Sequence, residues 1–171
     1  MINNLKVWPT VLMMLMTPQS VFSSDQGQVD TLNAFWEEAS RVVAEGDFNA
    51  YKASYHEDAV LVSTSAKTSY PISQALIKWE QGFNDTRAGN LVASVEFRFT
   101  QRLHDATTAH ETGIFHYSAI PVDGEPSEAY VHFEALLVNK NGWKTVMEFQ
   151  KLIATKEEWQ AASVTASDDL N

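Results

Sequence analysis

The apolar positions change period once along the chain. In the first half they recur at helical spacing: Leu32, Phe35, Trp36, Ala39, Val42 and Val43 fall on one face. Asp30 stands where it can cap that helix, and Gly46 where it can take the left-handed conformation that ends it. Asp47 then caps a shorter helix on which Phe48, Tyr51 and Tyr55 share a face. Residues 59–63 (AVLVS) read as a short strand. Ser73 is placed to cap a third helix, with Ala75, Leu76, Trp79 and Phe83 on its buried side and Gly82 near its end.

From residue 91 the pattern alternates. Leu91, Ala93, Val95, Phe97 and Phe99 lie on one face of a strand, and Ser94, Glu96, Arg98, Thr100 and Arg102 on the other. His104-Asp105 reads as a turn and residues 107–120 as the returning strand. Residues 121–127, with Asp123-Gly124 and Pro126, form a loop. Two further strands, 129–139 and 143–154, join around Asn141-Gly142, a pair suited to the two positive φ angles of a tight hairpin turn. Thr155 and Glu158 make a capping box for a last short helix through Trp159. Helices first, then long antiparallel strands, is an α+β order. It predicts one domain over 30–160, between a polar linker (24–29) and a flexible tail (161–171).

Residues 1–23 have the layout of a secretory signal peptide. Lys6 precedes an apolar run over 11–16, Pro18 breaks the run, and Val21-Phe22-Ser23 offers residues that a signal peptidase accepts. The run is far shorter than the ~20 apolar residues a membrane span needs. A secreted or periplasmic protein, free of the membrane after cleavage, is the expectation.

Composition narrows the function classes. The 171 residues include 12 Lys and Arg against 22 Asp and Glu, a net charge of −10, so no electrostatic footprint for nucleic acid or an anionic membrane is present. Cleavage after residue 23 would remove Lys6 alone among these and make the balance −11. There is no cysteine, which excludes thiol catalysis, disulfides and thiolate metal sites.

The segments GDFNAYKASYHEDAVLV, ISQALIKWEQGF and VHFEALLVNKNGWKTVMEF, in this order and spacing, resemble the NTF2-like superfamily, and within it the SnoaL-like and DUF4440-type domains. The resemblance covers about residues 30–155. It implies a cone-shaped α+β barrel, N-terminal helices packed on a curved antiparallel sheet, a pocket between them and a homodimer formed through the sheet. It does not choose among isomerases, dehydratases, hydrolases, cyclases and non-catalytic binding modules. In ketosteroid isomerases a catalytic carboxylate follows the strand after the Tyr-x-x-Asp-Ala segment. Here that stretch is Val62-Ser63-Thr64-Ser65, without an acid, so that chemistry is not expected.

Hairpin arithmetic proposes which polar groups face the pocket. A two-residue loop at Asn141-Gly142 pairs Lys140 with Trp143, Ala135 with Glu148 and Phe133 with Gln150, and paired residues share a face. Glu148 and Gln150 then join the apolar set Val131, Phe133, Ala135, Leu137, Val146 and Leu152, while Trp143 lies outside. A loop at His104-Asp105 pairs Phe99 with His110, Phe97 with Thr112 and Ala93 with His116, and puts Arg98 against Glu111 on the outer face. The expected acid/base set is therefore Glu148 with His116 or His110. Gln150, Tyr51, Tyr55, Phe97, Phe99 and Phe133 are the expected ligand contacts.

A carboxylate in an apolar cavity has its pKa raised and can carry protons near neutral pH. The same residues also fit a satisfied core network with no turnover. Three functions stay open: a binder of a small, partly apolar molecule; a metal-independent lyase, isomerase or hydrolase using Glu148 and a histidine; and a non-catalytic dimeric module. No cofactor or metal is expected, since His110 and His116 are roughly 20 Å apart along a strand at ~3.4 Å per residue.

Overall fold

The computed structural model describes residues 22–162, with side chains from 26 onward. The expected signal segment and tail lie almost wholly outside them. Helix α1 (Phe22–Glu45) is followed by α2 (Phe48–Ala53), β1 (Tyr55–Ser63), β2 (Thr68–Pro71) and α3 (Ile72–Arg87). The long strands β3 (Leu91–His104), β4 (Thr108–Pro121), β5 (Ser127–Asn139) and β6 (Trp143–Ile153) come next, then α4 (Lys156–Ala161). The six strands form one sheet in the order β2-β1-β6-β5-β4-β3, antiparallel except where β1 runs parallel to β6. The sheet is curved and unclosed, and α1, α2 and α3 pack on its concave side.

Helix α1 begins earlier than its apolar face suggests. The expected linker, 24–29, is helical, so Asp30 lies inside the helix, where it accepts a hydrogen bond from Gln26 Nε2 (3.0 Å) instead of capping. A helix anchored by a packed apolar face can extend over polar residues at little cost per residue. Gly46 ends it at φ 68°. A Cβ there would lie 2.5 Å from the Phe83 carbonyl oxygen, so glycine is needed both for its conformation and for the approach of α3. Arg87 seals the contact by donating from Nη2 to the Gly46 oxygen at 2.7 Å. Asp47 caps α2 as expected, accepting from the Ala50 N–H. Ser73 does not cap α3, which starts at Ile72 directly after Pro71 and continues past Gly82 to Arg87. Thr155 and Glu158 form the expected capping box.

The β3–β4 register departs from the expectation. Asp105 Oδ1 accepts from the Thr107 and Thr108 N–H groups and the Thr107 hydroxyl, which builds a longer turn than a two-residue loop. His104 therefore pairs with Ala109 and Leu103 with His110. A bulge between Phe99 and Gln101 then changes the offset, so Phe97 pairs with Phe115, not with Thr112. Gly113 faces the bulge. A Cβ there would sit 2.1 Å from the Arg98 carbonyl oxygen. An odd slip turns every β4 side chain over. His110, Ile114 and His116 go to the outer face, and Glu111, Phe115 and Tyr117 go inward. Past the bulge β3 also inverts, which carries Arg102 into the core beside Glu111.

The β5–β6 hairpin keeps the register that matters. Its loop has three residues, with Gly142 at φ 105° and Asn139 paired with Trp143. An irregularity between Leu136 and Leu137 restores the expected pairs of Ala135 with Glu148 and Phe133 with Gln150. Trp143 lies before it and so points inward, where it is buried and donates to the Thr31 hydroxyl at 2.9 Å. Leu152, expected on the cavity face, is exposed.

Candidate functional site

The concave face of the sheet and the three helices enclose a cavity of ≈ 480 Å³. Its walls are mainly apolar and aromatic: Phe35, Trp36 and Val43 from α1, Trp79 and Phe83 from α3, and Phe97, Phe115 and Phe133 from the sheet. Glu148 and Gln150 line it from β6, Tyr51 from α2 and Tyr55 from the start of β1. Lys78, exposed on α3, belongs to the same lining.

The polar groups form one connected chain. Tyr55 Oη donates to Glu148 Oε2 at 2.6 Å, and Gln150 Nε2 donates to Glu148 Oε1 at 2.8 Å. Tyr51 Oη lies 3.1 Å from Tyr55 Oη. A phenol has one proton to give. Since Tyr55 gives its proton to the carboxylate, Tyr51 must donate to Tyr55, and the remaining lone pairs of Tyr51 have no partner among the described residues. Tyr51 and Tyr55 meet although α2 ends before Tyr55, because the chain turns directly into β1.

Burial raises the Glu148 carboxyl above the ordinary carboxylate range, against the opposing pull of the Tyr55 and Gln150 hydrogen bonds. Burial likewise pushes the Tyr51 and Tyr55 phenols up, and the nearby Glu148 charge adds to this. Burial also raises Tyr117, on the β4 side of the lining. Tyr51 and Tyr55 are therefore neutral hydroxyls at any ordinary pH.

The expected histidine partners are not here. His110 and His116 lie on the outer face because of the β4 inversion. His110 Nε2 is 3.6 Å from Glu134, itself hydrogen-bonded to Lys151. His116 Nε2 is 3.1 Å from Glu128 and its ring stacks on Tyr130 at 4.3 Å. Tyr55 occupies the place beside Glu148 that a histidine was expected to take. Phe97 and Phe133 line the cavity as expected, but Phe99 is packed in the core behind Trp36, with the Arg102 guanidinium 4.2 Å over its ring.

Sequence reading missed the group that fixes the α1 wall. Glu111 is fully buried. It accepts from the Trp36 indole N–H and from Arg102 Nε, and Arg102 also donates to Asn33. The triad clamps the Trp36 ring, which packs tilted against Phe97 and Phe99 and edge-on against Phe133. The available signal was the glycine at 113, since a glycine inside a strand pattern marks a bulge or a close backbone approach.

Among the described residues, no three His, Asp or Glu side chains are grouped to hold a metal ion, and no helix is long and apolar enough to cross a membrane. The architecture is shared with solved proteins. An NTF2-like protein of unknown function from Shewanella oneidensis superposes with a TM-score of 0.57 at 14% identity, covering 73% of this chain and 99% of that one. The chain has the NTF2-like fold. A candidate scytalone dehydratase from Novosphingobium aromaticivorans gives a TM-score of 0.65 at 12% identity, covering 78% and 89%. ActVI-ORFA from Streptomyces coelicolor gives 0.56 at 13%, covering 72% and 96%. Identities this low carry the NTF2-like fold and not the activity. No protein-family model matches the chain, and no curated protein matches its sequence.

Proposed function

We propose that this NTF2-like chain binds a small, partly apolar molecule in its cone, with the apolar body against the aromatic walls and a polar tip at Tyr51, Tyr55, Glu148 and Gln150. The observation that carries this reading is a cavity of ≈ 480 Å³ with aromatic walls and a connected polar end. Pockets of this size, apolar with a few convergent polar groups, suit small molecules. The carboxylate favours neutral tips over anionic ones. The apolar run at 11–16 supports export to a secreted or periplasmic location.

A second reading is a metal-independent lyase, isomerase or hydrolase in the same cavity. It is favoured by the raised Glu148 carboxyl, hydrogen-bonded to a hydroxyl that can pass a proton. The candidate scytalone dehydratase shares the fold and so supports this reading only at that level. Association through the outer sheet face is a further part of the proposal. Leu103, His110, Leu136, Met147 and Val60 form a largely apolar cross-strand row there, with Leu103 and Leu136 exposed.

Native mass spectrometry of the protein purified from its own source tests the binding reading and the oligomeric state together. The expected result is a retained small-molecule mass on a dimer, with the mass lost when the cavity is filled by substitution. A retained mass that survives cavity filling contradicts the site. Glu148→Gln separates the second reading, since turnover of the released compound would fall at least ~100-fold while binding persists.

A further inference from the structure

The carboxylate is not the group best placed to meet a ligand. Both Glu148 oxygens are already engaged, Oε2 by Tyr55 and Oε1 by Gln150. The free end of the chain is the Tyr51 hydroxyl, whose one hydrogen-bond partner among the described residues is Tyr55. What that end can offer depends on the other end. With Glu148 ionised, protons point from Tyr51 to Tyr55 to Glu148, and Tyr51 has only lone pairs left. With a proton on Glu148 Oε2, the carboxyl donates to Tyr55, Tyr55 donates to Tyr51, and the Tyr51 O–H is released toward the cavity. Each hydroxyl only rotates, so no heavy atom has to move.

We propose that Tyr51 is the ligand-contacting group of this site, and that protonation of Glu148 converts it from a hydrogen-bond acceptor to a donor. This rests on the binding reading above. The protonated form then takes a neutral, flat, apolar molecule whose polar tip is a carbonyl or ether oxygen. The ionised form takes the corresponding hydroxyl compound. The other titratable groups lining the cavity are Tyr55 from β1, Tyr117 from β4 and Lys78 from α3, which is exposed. Helices and strands α1, β3 and β5 contribute no ionisable side chain to the lining. The tyrosines are held neutral by burial and Lys78 is exposed, so Glu148 is the buried group of the lining that changes charge.

A matched pair of probes tests this: 2-acetylnaphthalene, which only accepts, and neutral 2-naphthol, which can donate. Each is titrated calorimetrically into the full chain from about pH 4.5 to about pH 8, a range that begins at the ordinary Glu value and extends through an upward shift. The expected result is opposite slopes. Affinity for 2-acetylnaphthalene falls about three- to tenfold as pH rises, the yield of one neutral hydrogen bond, while affinity for 2-naphthol rises. Glu148→Gln offers an amide N–H to Tyr55 permanently, so it should hold the low-pH affinity for 2-acetylnaphthalene at every pH. Tyr51→Phe, which keeps the ring, should bind both probes without the pH response. If the proton instead settles on the Gln150 side, both probes bind with flat profiles, and the proposal is overturned while the binding reading survives. If neither probe binds at any pH, the binding reading fails and takes the proposal with it.

Discussion

Replacing Glu111 by Gln keeps the side-chain shape but removes the one negative charge in the core behind the α1 wall. In the native arrangement its two oxygens accept from the Trp36 indole and from Arg102 Nε, at a site with no exposure. A glutamine has one acceptor oxygen for those two donors, and its own N–H₂ must then face one of them. Arg102, 2% exposed, is left as a buried cation without a counter-charge. Removing one partner of a buried pair costs about 3–5 kcal/mol, roughly a fifth or more of a typical domain's stability of ~5–15 kcal/mol. In a two-state urea titration, the midpoint should fall without a change in slope, and the melting temperature should drop by about 10–20 °C. The double substitution Arg102→Met with Glu111→Gln separates charge from packing. It should recover much of the loss, because no buried cation remains, though the Trp36 N–H still shares a weaker acceptor. A Glu111→Gln loss below ~1 kcal/mol, or a double variant no better than the single, would refute the reasoning that an isolated buried charge dominates.

Two other outcomes follow from the same geometry. Glu148 has a raised pKa in the folded state, so the native protein binds more protons there than the unfolded chain does; stability should fall as pH rises from about 4.3 through the folded value, and Glu148→Gln should flatten that fall in denaturation curves taken across the range. Gly113→Ala would put a Cβ 2.1 Å from the Arg98 carbonyl oxygen, backbone that cannot rotate away, so the variant should lose more than ~2 kcal/mol and shift the amide signals of β3 around the bulge.

Element types along the chain were legible because their periods are long and clear: six apolar positions at helical spacing in α1, five alternating in β3. The Glu148 and Gln150 placement was legible because the β5–β6 pairing is right in mid-strand, even though the loop is one residue longer than Asn141-Gly142 alone. The β3–β4 hairpin was not legible. Nothing in His104-Asp105-Ala106-Thr107 announces that one carboxylate will gather four donors and lengthen the turn. Side chains alternate with period 2, so that local event moved His110 and His116 out and Glu111 in. The expected outer-face pair of Arg98 with Glu111 is replaced by a buried pair of Arg102 with Glu111, since charge complementarity alone does not distinguish a surface pair from a buried one. Tyr55 was expected on a helix and found on a strand, yet its hydroxyl still reaches the site.

The most direct test of the cone as a binding site uses Gly82, which lines the cavity from α3 and has no atom within 4 Å of an added Cβ. Gly82→Phe should fill that space, and Gly82→Ala serves as the control that adds only a methyl and gains ~0.5–1 kcal/mol of stability. The account predicts that 2-acetylnaphthalene binds the alanine variant like the native protein and binds the phenylalanine variant at least ~10-fold more weakly, with both folded. Undiminished binding to a folded Gly82→Phe protein would contradict it.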